Sequence, residues 1–179
     1  MVRRLIAGAV LAGTAACSVA GCGSDGKKDQ AGPEVAWAGN VCTAMARTSA
    51  LSVPKLNSAD VLTDKRSLTK LLDGIGKRMG TLEMNLQGVG APPVPNGKQL
   101  FTTAMGNLTR THSSVSTASK RLQRAKVTDK KSLQTAVKQV GTVFAQYNTY
   151  QGPQQDFRRD PKLNAAFAKA PACQTTKPG

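Results

Sequence analysis

Residues 68–89 read LTKLLDGIGKRMGTLEMNLQGV, and the spacing of their apolar side chains decides the fold class. Leu68, Leu72, Ile75, Met79, Leu82, Leu86 and Val89 advance by 4 and 3 in alternation. That is the seam of a helix lying nearly parallel or antiparallel to its neighbours. Three more segments carry the same alternation. Trp37, Val41, Ala44, Thr48 and Leu51 precede it. Phe101, Met105, Leu108, His112, Val115, Ser119 and Leu122 follow, and then Leu133, Val137, Val140, Phe144 and Tyr147. Four seams predict an all-α fold, an antiparallel up-down-up-down four-helix bundle. Composition agrees: 40 % of residues are hydrophobic but only 4 % aromatic, so the core must be mostly aliphatic.

Punctuation supports these limits. Pro33 suits a first helical turn, and Pro54 bounds the first helical region. GVGAPPVP at 88–95 separates the second helix from the third, with Asn96 and Gln99 placed as a capping box. Gly152-Pro153 should end the fourth helix. Asp160-Pro161 should open a short fifth helix running to about Lys169. The domain is therefore placed at 33–179. Gly74, Gly76, Gly80, Gly106 and Gly141 fall inside predicted helices, and Gly76 and Gly80 are spaced for close helix contact.

The N-terminus reads differently. Arg3 and Arg4 precede an apolar run, Leu5 to Ala16, that is too short to span a bilayer. Val19-Ala20-Gly21-Cys22 follows, and here the chain resembles a bacterial lipoprotein precursor. The resemblance implies a signal peptide at 1–21, cleavage before Cys22, and diacylation of the Cys22 thiol. Thr14-Ala15-Ala16-Cys17 is a rival site that lacks the aliphatic residue, and an ordinary secretory signal is the plainer alternative. Residues 22–32 would form the lipidated cysteine and a flexible tether. Two acyl chains anchor stably where one holds only marginally. The expected location is the outer face of a cytoplasmic membrane.

Cleavage leaves 23 basic against 10 acidic residues, a net of +13. With Cys17 removed and Cys22 lipidated, Cys42 and Cys173 remain, and an oxidising compartment favours their pairing. Such a bond closes a loop of roughly 130 residues, worth about 5 kcal/mol by chain entropy.

TDKRSL (63–68) and TDKKSL (128–133) are near-identical. Both are read as helix starts, with Asp64 and Asp129 as N-caps. In an up-down-up-down bundle, the second and fourth helices start where the first and third end. That pole gathers Lys55, Lys65, Arg66, Lys120, Arg121, Arg124, Lys126, Lys130 and Lys131, against Asp60, Asp64 and Asp129. Lys65, Arg66, Lys130 and Lys131 stand in first turns, where the helix dipole disfavours cations. A solubilising rim is the plain reading of this pole, and an anion-binding surface the functional one.

Little else carries chemistry. His112, the sole histidine, lies on a seam and reads as structural. Asp60, Asp64, Asp73 and Glu83 show no acid–base pairing pattern, and Ser113 and Ser114 beside His112 make no triad. No catalysis, metal or cofactor is expected. Trp37 reads as a core anchor against the disulfide rather than a ligand contact. Asn107-Leu108-Thr109 matches a glycosylation acceptor but carries no weight in a bacterial lipoprotein. No nucleic-acid partner is expected for an exported chain with few stacking aromatics. Anionic cell-wall polymers or an acidic protein face remain as partners, besides the membrane through Cys22. A small apolar ligand held inside the bundle near Trp37 and His112 is the alternative.

Trp37-Ala38-Gly39-Asn40-Val41-Cys42, GAPPVPNG at 90–97 and LNAAFAKAPAC at 163–173 together resemble small secreted lipoproteins of actinobacteria. That resemblance implies a helical domain with a Cys42–Cys173 link. It implies no activity.

Overall fold

The computed structural model describes residues 32–48, 52–56, 59–145 and 150–175, and the account below concerns these. Residues 1–31, with Cys22, lie outside them, as do Leu51 and Tyr147; the side chain of Phe144 is likewise undescribed. Residues 31–179 form one compact unit. The described residues are helical with no strand. The helices are α1 (Pro33–Ala46), α2 (Val61–Val89), α3 (Gly97–Arg124), α4 (Lys130–Ala145), α5 (Pro153–Phe157), α6 (Pro161–Lys169) and α7 (Pro171–Gln174).

The Leu68–Val89 seam lies wholly within α2. It buries Leu72 and Leu86 and half-buries the other five positions. The third-helix seam buries Leu108, Val115, Ser119 and Leu122 along α3, with Ala104, Thr111 and Ala118 beside them. The two long helices pair in opposite order. Lys65 meets Gln123 and Ala125, Asp73 meets Ser119, and Glu83 meets His112. At about 1.5 Å per residue, each is roughly 40 Å long.

The core falls in two clusters along this hairpin. The first joins Trp37, Val41, Cys42 and Ala44 of α1 to Leu86, Ala104, Leu108, Phe157, Leu163 and Phe167. The second joins Leu72, Ala118 and Leu122 to Val127, Ala136 and Val140, with Val61, Leu68 and Leu133 against it. α1 packs chiefly on α2, α6 and α7, and α4 chiefly on α3. Cys42 and Cys173 are disulfide-bonded, with Cα atoms 5.1 Å apart and a sequence separation of 131. Trp37 is the anchor of the first cluster. Its ring meets Phe157 edge-on at 4.9 Å and Phe167 at 6.0 Å, and its indole N–H donates to the Gly90 carbonyl at 2.9 Å.

Several boundaries differ from expectation. α1 stops at Ala46, short of Thr48 and Pro54. The hydroxyl of Thr48 donates back to the Met45 carbonyl, a local bond that competes with continuing the helix. Asp64 does not cap α2. Asp60 does, accepting from the Leu62 N–H at 2.9 Å and the Thr63 hydroxyl at 2.7 Å. The helix starts one turn earlier because Asp60 offers the cap and Val61 packs against the second cluster. Asp129 caps as expected: it accepts from the Ser132 N–H at 2.7 Å, and its own N–H donates to the Ser132 hydroxyl. The twin hexapeptides are thus used one helical turn out of step.

Asn96 occupies the N-cap position of α3 but makes no side-chain capping bond, because it sits in the left-handed region at φ 61°. The expected box with Gln99 does not form. On α4, Val137 is 39 % exposed; the helix instead turns Leu133, Ala136 and Val140 inward. Gly152-Pro153 opens α5, and α4 is described as far as Ala145. α6 matches the expected fifth helix, with Asp160 accepting from the Leu163 N–H at 3.0 Å.

Candidate functional site

The start of α2, the end of α3 and the start of α4 meet around the second cluster, through Val61, Leu68, Leu122, Ala125, Val127 and Leu133. This contact brings the sequence-predicted cations to one end of the hairpin. Lys120, Arg121, Arg124, Lys126, Lys130 and Lys131 are all exposed there. None of these six forms an ion pair with a described residue.

Lys65 and Arg66 behave differently. The Lys65 ammonium donates to the carbonyls of Gln123 at 2.8 Å and Ala125 at 2.7 Å. It therefore caps the C-terminus of α3, where the dipole favours a cation. Its place in the first turn of α2, unfavourable when that helix is viewed alone, is explained by its neighbour. Arg66 donates to the Thr63 hydroxyl at 2.9 Å and lies 3.7 Å from the Asp60 carboxylate. Both residues serve the local architecture of the basic end.

A groove of about 450 Å³ crosses the same end, lined by Leu62, Lys65, Arg66, Thr69, Lys70 and Gln123. Leu62 is half exposed in it. Lys70 was absent from the sequence-based set; it stands one helical turn beyond Arg66, and helical spacing alone would have found it.

The two caps beside these cations are electrostatically defined. Bonds from the Thr63 hydroxyl and then the Leu62 N–H hold the Asp60 carboxyl below its ordinary range. The N–H and then the hydroxyl of Ser132 do the same for Asp129. Both stay ionised and offset part of the positive field.

His112 and Trp37 lie elsewhere. His112 Nδ1 stands 3.3 Å from Glu83 Oε1 across the α2–α3 contact, and its ring rests on Gly76 and Gly80. A Cβ on Gly80 would sit 3.3 Å from the His112 ring, so the small-residue spacing in α2 makes the seat for this histidine.

One acidic residue escaped the sequence reading. Asp156 of α5 is 2 % exposed, and its Oδ2 accepts from Asn107 Nδ2 at 2.9 Å. Reading Gly152-Pro153 as a helix end hid it; read as a helix start, the same pair puts Asp156 in a first turn. Nearby Tyr150 has a buried hydroxyl without a hydrogen-bond partner among the described residues. Burial, and secondarily the Asp156 charge, push its phenol well above the usual tyrosine range.

Among the described residues, no three His, Cys, Asp or Glu side chains cluster as a metal site, and no helix is long and apolar enough to cross a membrane. No family model, curated protein or solved structure matches the chain.

Proposed function

We propose that this chain is a lipid-anchored, extracytoplasmic binding module without catalytic activity, whose basic end contacts an anionic component of the cell envelope. The observation that carries this reading is the set of six exposed cations, from Lys120 to Lys131, around the α3–α4 connector, none of them ion-paired among the described residues. Unpaired charge of one sign on one end attracts polyanions and speeds their encounter.

The helices enter this reading as an up-down-up-down bundle tethered at one pole. Trp37 bonds to Gly90, near the C-terminus of α2, while Lys65 lies near its N-terminus. At about 1.5 Å per residue, some 35–40 Å of helix separate the α1 end from the cations. Anchoring through Cys22 would leave the basic end free to reach wall polymer. The apolar-ligand alternative draws no support from Trp37, whose ring and N–H are both engaged within the core.

The test is a pulldown of the full chain, in a non-ionic detergent, on purified cell walls and on anionic liposomes across a salt series. A variant reversing Lys120, Arg121, Arg124, Lys130 and Lys131 runs beside it; Lys65 is left intact because it caps α3. Wall retention that falls with salt and vanishes in the variant supports the proposal, since screening shortens to about 10 Å at 0.1 M. Equal retention of both forms, or none at low salt, overturns it. Retention on liposomes alone would redirect the assignment to a lipid surface.

A further inference from the structure

At the opposite end of the hairpin, the first turns of α3 face α5 and the start of α6 across a groove of about 380 Å³. That volume falls within the range of small-molecule sites, about 300–1,000 Å³. Asp156, Arg159 and Asp160 line one wall, Asp160 with its Oδ1 already accepting from the Leu163 N–H, and Asn96, Gln99, Leu100 and Thr103 line the other.

The Asp156 side chain is only 3 % exposed, yet the carboxylate is thinly supplied with donors. Asn107 satisfies Oδ2. Oδ1 has the Arg159 guanidinium at 3.7 Å, which is beyond hydrogen-bond distance. An ionised carboxylate has about four acceptor positions, so Oδ1 keeps room for a donor arriving in the groove. Arg159 itself is 70 % exposed and free to adjust.

The incomplete pair selects among ligand groups. An ammonium would suit Asp156 but be repelled by Arg159, and Asp160 already commits its Oδ1 to the Leu163 N–H. A carboxylate or phosphate would suit Arg159 but be repelled by Asp156. A neutral hydroxyl suits both, because it donates to the carboxylate and accepts from the guanidinium at once. The facing wall repeats this duality: the Asn96 and Gln99 amides and the Thr103 hydroxyl each donate and accept. Leu100 adds an apolar surface for a C–H face.

We propose that this groove is a binding site for a hydroxyl-rich small molecule, a saccharide unit, held between Asp156 and Arg159 and the first turns of α3. The inference rests on none of the cations at the basic end, so either can fail without the other.

The experiment is ligand-observed saturation-transfer NMR on the full chain in a polyoxyethylene detergent, which carries no sugar. Glucose, galactose, mannose, arabinose and N-acetylglucosamine are presented singly at millimolar concentration, with ethanolamine and inorganic phosphate as charged controls. At least one sugar is expected to bind saturably. Arg159→Met, an exposed substitution that leaves the core untouched, should weaken it by about tenfold or more, as should Asp156→Asn. Thr103→Val provides a third variant should Asp156→Asn melt early. Absence of binding by every sugar overturns the proposal. So does binding that persists unchanged in Arg159→Met and Thr103→Val. Binding of ethanolamine or phosphate alone, lost in Arg159→Met, would make this an ion site and overturn it as well.

Discussion

Replacing Gly97 by alanine should cost this domain far more than its position at a helix start suggests. A Cβ built on Gly97 lies 2.0 Å from the Pro92 carbonyl oxygen and 3.1 Å from its carbon. The obstacle is backbone, so no side chain can swing aside. The carbonyl must retreat by about 1 Å to reach even a tight contact of 3.0 Å. That carbonyl accepts from the Val94 N–H at 2.9 Å, and the Val94 carbonyl accepts from Gly97 itself at 2.9 Å. Losing both turn bonds costs about 1–3 kcal/mol. Displacing the buried Pro92 adds strain of about 1–3 kcal/mol, and alanine's helix preference returns at most about 1 kcal/mol. The net expectation is a loss of about 2–4 kcal/mol, or a Tm lower by about 5–15 °C for a domain of this size. Urea and thermal unfolding followed by far-UV circular dichroism would measure it. Gly106→Ala is the control: a Cβ there meets nothing within 4 Å, so that variant should match or exceed the parent. A Gly97→Ala melt within about 1 kcal/mol of the parent would refute the reasoning.

Other expectations follow from the same geometry. Replacing Cys42 and Cys173 together by alanine should remove about 5 kcal/mol by chain entropy, given 131 residues of separation, and urea unfolding showing a loss below about 1 kcal/mol would contradict that account. Gly80→Ala should stabilise a His112→Ala background by up to about 1 kcal/mol yet gain less beside the native ring at 3.3 Å; additivity in a double-mutant thermal cycle would show that the ring is not the obstacle. The Asp60 and Asp129 carboxyls are held below 3.8, so their capping is complete above that value and is lost as pH falls through the lower folded values. Hydrogen-exchange protection at Leu62 and Ser132, corrected for intrinsic rates, should therefore hold above 3.8 and fall below it, and Asp129→Asn should flatten the profile at Ser132 alone.

The helices of this domain were legible because burial imposes a period. The α2 and α3 seams, the Asp160 cap and the cysteine pair all follow from local spacing or residue chemistry. What the sequence could not show is which of two adequate signals would win. Asp60 and Asp64 both suit an N-cap, and Val61 decides between them by packing against residues some sixty positions away. Val137 and Ala136 both fit a helical stripe, and the smaller one faces α3. Asn96 looks like a capping residue, but the close approach of Pro92 to Gly97 coincides with a left-handed backbone that turns its side chain from that task. At the basic end the cations were readable as a group. The division of labour among them was not, since Lys65 acquires its role only from the carbonyls at the end of α3. Asp156 stayed hidden for a related reason: its partner Asn107 is 49 residues away.

The division of the core into two clusters along one helical hairpin also bears on how the molecule opens. Among the described residues, the first cluster holds the aromatic rings and the disulfide, and the second is aliphatic and small, with α4 reaching it through Leu133, Ala136 and Val140. Few buried contacts lower the free energy of local opening, and an exchange experiment that finds α4 and the α3–α4 connector opening before α1 and α6 would be the sign of it. Excursions that unfold α4 leave the aromatic cluster and the cross-link standing. In that event Lys126, Lys130 and Lys131 would move with α4, while Lys120, Arg121 and Arg124 would stay fixed on α3.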